Sequence, residues 1–303
     1  GRAVTTAGAL LVLANAASRV PGQVRHFRTA SANIRDQHIE VGERIARLPE
    51  GDRVRVLLGD AGAIPYVSRR PAIDALGLGG YQGVPFAHAA VHGEASTIEL
   101  IERLAPSERP THFALYPNWF SSLTSRFGVE IDRVTIQNNI ICGSPTKGIY
   151  RADWSALADP KDAVASERVV DELDVADVVD EEAHGYVAPL PHGGWTTLDV
   201  LEDPQTTKRR FDGGRTIPEG ARESFVVAAS SSEPVTLRVR VNAEARRIVL
   251  RTSTREKELE LEPVRAGWWR SAATSLDAIA KGDVLILEAP SGSGGYRDYH
   301  VWI

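Results

Sequence analysis

The stretch LLGDAGAIPYVSRRPAIDALGL, residues 57 to 78, combines the residue types and spacing most capable of chemistry. An apolar run closing on Gly59-Asp60-Ala61-Gly62 reads as a buried strand that delivers a carboxylate to its carboxyl end, where open α/β sheets bind ligands. Gly59 and Gly62 permit a tight turn or a close approach to a bound molecule. Asp60 is therefore a candidate to accept hydrogen bonds from a sugar hydroxyl or to act as a base. The competing reading, which takes precedence, has it capping its own turn and neutralising Arg69 or Arg70. Ile64-Pro65-Tyr66 is expected to direct the Tyr66 phenol back across that edge, and Asp74 follows on a second strand. The string is not a dinucleotide fingerprint: its glycines are three apart and Pro65 stands where the helix N-terminus should form.

Aromatic residues dominate the candidates in the second half: Trp195, Trp268, Trp269, Tyr296, Tyr299 and Trp302 fall near strand ends or turns. Indole and phenol planes offer flat apolar faces on which sugar rings stack. Alternation in the last strand puts Tyr296, Asp298, His300 and Trp302 on one face, a polar and aromatic surface suited to carbohydrate. Trp269, His300 and Trp302 thus join Asp60, Tyr66 and Asp74 as candidate substrate-binding residues, although for each Trp taken singly core packing is the preferred reading. Phe211-Asp212-Gly213-Gly214-Arg215 reads as a hairpin turn.

Other groups are weaker as sites. His88 and His92, spaced i, i+4, have the spacing of a zinc pair, but without an adjacent Glu they are read as exposed loop histidines. Glu99 and Glu102 read as the solvated face of a helix. Asp171, Asp174 and Asp177 could supply Ca²⁺ oxygens, yet their spacing does not fit an EF-hand and solvation is preferred. Cys142 lies in an apolar run, and no G-x-S-x-G, phosphate loop or C-x-x-C occurs. No catalytic residue, metal or cofactor is expected.

The 303 residues, 43% hydrophobic and 25% charged, suffice for two globular domains. One Cys excludes a disulfide scaffold. A net charge of −5 argues against a nucleic-acid partner. The imbalance lies in Asp162 to Glu182, where nine carboxylates face only Lys161 and Arg168, a pattern read as a solvated linker. The chain has no Met, so it is expected to be a processed product or a piece of a longer polypeptide. Ala7 to Ala17 is apolar but shorter than the roughly 20 residues that span a bilayer. It is read as the end of a transmembrane helix or as a core helix, ahead of a signal segment, with Arg19 and Arg25 marking the exit from lipid in the first case.

Phe27, Ile34, Val41 and Leu48 recur every seven positions and predict one long amphipathic helix. Strands are expected at Arg53–Asp60, Ala72–Leu76 and Thr111–Pro117, and helices at Glu94–Leu104 and from an Asn118 cap through Phe127. This alternation predicts an α/β layer with a mostly parallel sheet. Seven short alternating runs after about residue 165 predict an antiparallel β-sandwich, jelly-roll or galactose-binding-like. The expected division is a helix end over 1–20, an α/β domain over 21–160, an acidic linker over 161–180 and the sandwich over 181–303.

The Gln23 helix, DAGAIPYVSRRPAIDALGL and RPTHFALYPNWF together resemble the extracytoplasmic domain that follows the last membrane helix in bacterial polytopic glycosyltransferases of the GT-C class, over about residues 8 to 155. The resemblance implies an enzyme using polyprenyl-phosphate-linked sugars, with its catalytic carboxylates between early membrane helices that have no counterpart here. This chain would then be the accessory part at the periplasmic face, positioning glycan acceptor or lipid-linked donor. The alternatives are a secreted carbohydrate-binding protein without activity and an independent α/β hydrolase or transferase.

Overall fold

The computed structural model describes residues 2–157, 168–189, 194–264 and 268–303. The expected long helix forms as α1 (Arg2–Asn33), one π-helical stretch over Ile34–Ile39 and α2 (Glu40–Ala46). Much of α1 stands clear of the body: Leu11, Val12, Leu13, Val24 and Phe27 are exposed. Residues 11 to 13 are thus not part of a core helix in this chain. Among the described residues no helix is long and apolar enough to cross a membrane. Burial begins at Asn33, whose Oδ1 accepts the Ile140 amide at 2.9 Å, and Val41 and Ile45 then complete the core on one side of the first sheet.

That sheet contains β1 (Val56–Leu58), β2 (Ala72–Asp74), β3 (His112–Leu115), β4 (Gly128–Thr135) and β5 (Thr146–Ala152), in the order β2-β1-β3-β5-β4. β1 pairs in parallel with β2 and β3, whereas β5 is antiparallel to both β3 and β4. The expected parallel layer is therefore only its first half. The β4–β5 connection returns directly without a crossover helix, and only antiparallel strands can be joined that way. On the side away from α2 lie α4 (Phe86–Ala90), α5 (Glu94–Glu102) and α6 (Ser121–Phe127), where Ile98, Ile101 and Phe127 meet Leu57, Ile73 and Phe113.

The second half is the antiparallel sandwich. One sheet runs β13 (Glu260–Leu261), β14 (Arg270–Leu276), β10 (Val235–Val241), β16 (Tyr296–Trp302), β8 (Arg209–Ile217), β7 (Thr196–Glu202), with β6 (Glu172–Asp174) also on β16. The other runs β12 (Glu256–Glu258), β11 (Val249–Arg251), β15 (Val284–Glu288), β9 (Arg222–Val226). Alternation sets the core: Leu237, Val239 and Val241 of β10 meet Leu285 and Leu287 of β15.

Three local expectations are corrected by how the halves meet. Part of the acidic segment, 158–167, lies outside the described residues, but its remainder is folded rather than linker. β6 adds to the sandwich, and α7 (Val178–Ala183) is capped by Asp177, whose Oδ1 accepts the Val179 amide at 2.9 Å. Glu99 and Glu102 are not a solvated face, because β7 and β8 cover α5. Glu99 Oε1 accepts the Gly213 amide at 2.6 Å. Burial, then the Asp174 carboxylate, raises Glu99 well above the usual carboxylate range, and the same two causes lift Glu102 to about 8. Phe211–Arg215 is no turn but the middle of β8, where the two glycines serve close approach. A Cβ on Gly213 would sit 2.4 Å from Glu99 Oε1, and one on Gly214 would sit 2.4 Å from the Asp298 carbonyl oxygen.

The helix is pinned to the first sheet by a buried polar cluster. Gln37 Nε2 donates to the Ser144 and Pro145 carbonyls, and the Tyr116 hydroxyl donates to Gln37 Oε1 at 3.0 Å. His38 Nε2 lies 2.9 Å from that hydroxyl. Burial, then the Lys147 ammonium, lowers His38 to about 4, against the pull of Asp60.

Two outcomes follow. Gly214→Ala should cost ~1–3 kcal/mol in urea unfolding, since the atom it meets is backbone and cannot rotate away; an unchanged midpoint would contradict the close approach. His38 stays neutral in the folded state while the unfolded chain protonates it near 6.5. Its contribution is therefore whole above about pH 6.5 and lost as pH falls toward 4. Urea titrations across that window should show His38→Gln removing an acid-side loss on the order of 2 kcal/mol. Equal slopes in both proteins would exclude it.

Candidate functional site

A cleft of about 570 Å³ opens where the two halves meet. Small-ligand clefts span roughly 300–1,000 Å³. Trp119 and Trp195 line it, with Leu76, Phe120 and Leu198 as apolar floor and Glu94, Ser122 and Thr196 as polar groups. Both indoles face solvent, Trp119 at 43% and Trp195 at 72% exposure.

Each indole is held by its neighbours. Trp119 follows β3 and packs edge-on against Tyr116, ring centroids 4.9 Å apart. Gly143 leaves the space it occupies, since a Cβ there would lie 2.2 Å from the ring. Trp195 enters β7 over Gly93, whose Cβ would lie 3.0 Å from the indole. The following residue is fixed to the other domain: Thr196 donates from its amide and its hydroxyl to the His92 carbonyl at 2.8 and 2.9 Å. His92 Nδ1 lies 3.3 Å from the Gly194 carbonyl.

Glu94 supplies the cleft's carboxyl. Its two oxygens accept the Ser122 and Leu123 amides at 3.3 and 2.7 Å, satisfying the first turn of α6 in place of the expected Asn118 cap. Burial raises its pKa and those amides pull it back down. The arrangement presents two aromatic platforms, a fixed carboxyl and hydroxyls, which can stack on and hydrogen-bond a polyol.

The expected site residues are scattered. Asp60 pairs with neither Arg69 nor Arg70, Arg70 going instead to Asp52: Lys147 Nζ donates to Asp60 Oδ2 at 2.6 Å, and that ammonium, 0% exposed, lies 3.9 Å from the Tyr116 ring centroid. Burial lowers the Lys147 pKa while Asp60 opposes it. Tyr66 points outward on α3 (Ala63–Ser68), 85% exposed, rather than back across the strand edge. Asp74 is a buried turn cap, accepting the Leu76 and Gly79 amides at 3.0 and 2.8 Å.

The remaining three gather around Arg240 on the larger sheet of the sandwich. His300 and Trp302 are buried and stack on each other, centroids 4.3 Å apart. The Arg240 guanidinium lies over both Trp302 and Trp269, at 4.9 and 5.2 Å, and Trp302 donates to Glu172 at 3.2 Å. Their rings are thus occupied by protein. His88 and His92 do come together, centroids 5.1 Å apart. Sequence reasoning passed over Trp119 as a site residue, though an aromatic between a strand end and a helix start was a usable signal. A second cavity, about 270 Å³ between Thr252, Arg255 and Leu276, carries no aromatic platform.

Residues 32–177 match a family described only as a domain of unknown function, DUF8728. No curated protein matches the chain. Among solved structures, it is similar to a β-1,3-glucan-binding CBM6 from Bacillus halodurans, with 14% identity over 44% of this chain and 95% of that one and a TM-score of 0.28. It is also similar to CsCBM6-3 from Clostridium stercorarium in complex with cellobiose, with 11% identity, coverage of 39% and 92% and a TM-score of 0.24. CBM6cm-2 from Cellvibrio mixtus lichenase 5A, in complex with cellotriose, gives 11%, 45% and 96%, and 0.26.

Proposed function

We propose that this chain binds a glycan in the Trp119–Trp195 cleft and serves as the extracytoplasmic accessory part of a membrane glycosyltransferase, presenting acceptor glycan or lipid-linked sugar to a catalytic centre carried elsewhere. The observation that carries the glycan half is the pair of exposed indoles around one cleft that also holds Glu94 and Thr196. Exposed Trp normally costs free energy, since its large apolar surface gains from leaving water. Two of them in one concave site are best explained by a ligand that covers them. Sugar rings offer the alternation such a site fits: apolar C–H faces for the indoles and hydroxyls for the carboxyl.

The membrane half is supported by α1. Its exposed Leu11, Val12, Leu13, Val24 and Phe27 have no partner within the described chain, and Arg2, Arg19, Arg25 and Arg28 are its only charged side chains besides His26. An exposed apolar run followed by purely basic charges suits an anionic lipid surface.

On a glycan array followed by calorimetry with the best ligand, Trp195→Ala should weaken binding by ~1–2 kcal/mol, about tenfold. Trp119→Ala should do the same, and circular dichroism should be unaltered in both. Trp302→Ala should instead lower the unfolding temperature. Binding that both exposed-Trp variants retain in full would reject the cleft. For the membrane half, the full chain should float with phosphatidylglycerol vesicles, and Leu11→Asp with Leu13→Asp should abolish flotation; recovery of wild-type protein in the soluble fraction would reject it.

A further inference from the structure

The junction between the halves holds a second constellation, apart from the cleft. Three strands contribute to it: Asp174 of β6, Asp212 of β8 and His300 of β16, with one donor atom from each lying within 4.8 Å of the others. We propose that this cluster is a binding site for one divalent transition-metal ion, Zn²⁺ or Mn²⁺, which ties three strands of the sandwich together beneath helix α5.

Four observations carry the assignment. First, the donor set mixes one imidazole with carboxylates, a combination that suits these ions. Second, His300 is already oriented as a ligand: Glu172 Oε1 holds its Nε2 at 2.9 Å, which turns Nδ1 toward Asp174 Oδ1 at 3.6 Å. A carboxylate on the far nitrogen is the usual support for a metal-binding His. Arg240 does the same for Asp212, contacting Oδ2 at 2.5 Å. Third, Asp174 Oδ1 is shut off from solvent and has no hydrogen-bond partner. A buried acceptor left so is costly unless something is bound there. It faces His300 Nδ1 at a separation too long for a hydrogen bond and suited to a shared ion.

Fourth, charge around the cluster is unbalanced. Glu99 and Glu102 of α5 lie close enough to Asp174 and Asp212 for their charges to repel, and burial pushes both upward in pKa. With Glu172 beside His300 these make five carboxylates, and against them stand Arg240, His300 and Arg109. Arg103 is committed to Asp177 and Asp180, at 2.7 and 2.9 Å. A dication here offsets charge that otherwise has to be neutralised by protons. Asp171, Asp174 and Asp177 neither stay solvated nor form a cation site together: Asp171 goes to His184 at 3.2 Å and to the Ala228 amide at 2.7 Å, while Asp177 caps α7.

The test uses the full chain stripped with chelator. Calorimetric titration with ZnCl₂ and with MnCl₂ should give one ion per chain for at least one of them, and that ion should raise the unfolding temperature. Asp174→Asn and His300→Gln should each weaken binding at least tenfold, and Glu172→Gln about 10- to 100-fold. Should His300→Gln fail to fold, Asp174→Asn, at the partly exposed edge of the cluster, decides. Co²⁺ should give a visible spectrum of a mixed nitrogen and oxygen site that Asp174→Asn abolishes. The double variant His88→Ala, His92→Ala should bind as wild type. The proposal is overturned by absence of one-to-one binding, by binding that survives Asp174→Asn, or by binding lost only with His88 and His92.

Discussion

Glu99 reaches from α5 to accept the Gly213 amide of β8, and that single buried contact fixes how a mixed α/β layer meets a β-sandwich. It is possible only because β8 has no side chain at that point. A Cβ would collide with the carboxyl, so a glycine in mid-strand, ordinarily a weakness, becomes the condition for docking. With the helix covered on both sides, its acidic residues lose their water. Unpaired buried charge is costly, and Glu99 and Glu102 accordingly hold their protons into the neutral range or above.

The cleft is a by-product of the same docking. Trp119 belongs to one half and Trp195 to the other, and neither element alone forms a concave surface. Thr196 on the His92 carbonyl and Glu94 on the α6 amides fasten the two walls. A site assembled in this way is preorganised as long as the halves stay joined, so the stability of the junction bears directly on ligand affinity. The acidic segment contributes as well. Asp177 and Asp180 hold Arg103 of the other half, and Glu181 holds Arg215 at 2.5 Å, so a run of carboxylates that looked destined for solvent is spent on ion pairs.

Much of the architecture was legible beforehand because it rests on local pattern. The seven-residue recurrence gave the helix, although Phe27 turned out exposed, since the helix leaves the body before reaching it. Alternation gave the sandwich strands. The carboxyl end of β1 was singled out through Asp60, but the partners of that carboxylate were not foreseen. Lys147 lies 87 residues from Asp60, and His38 sits on a helix that shows only its period in the sequence. Asp74 was expected in a site and Trp302 was left between packing and sugar binding for a common reason: a polar or aromatic residue at a strand end looks the same whether its partner is a ligand or its own protein.

What the sequence determined by itself was the identity and order of the elements, because helical and strand periodicities are written in the spacing of neighbouring apolar residues. The tertiary structure alone decided which faces are covered. That choice depends on contacts between residues more than a hundred positions apart, and it reversed the roles of Glu99, Gly213 and His300 while bringing Trp119 to Trp195. Pattern reveals that a side chain must face something; only the meeting of two surfaces settles whether that something is water, protein or a ligand.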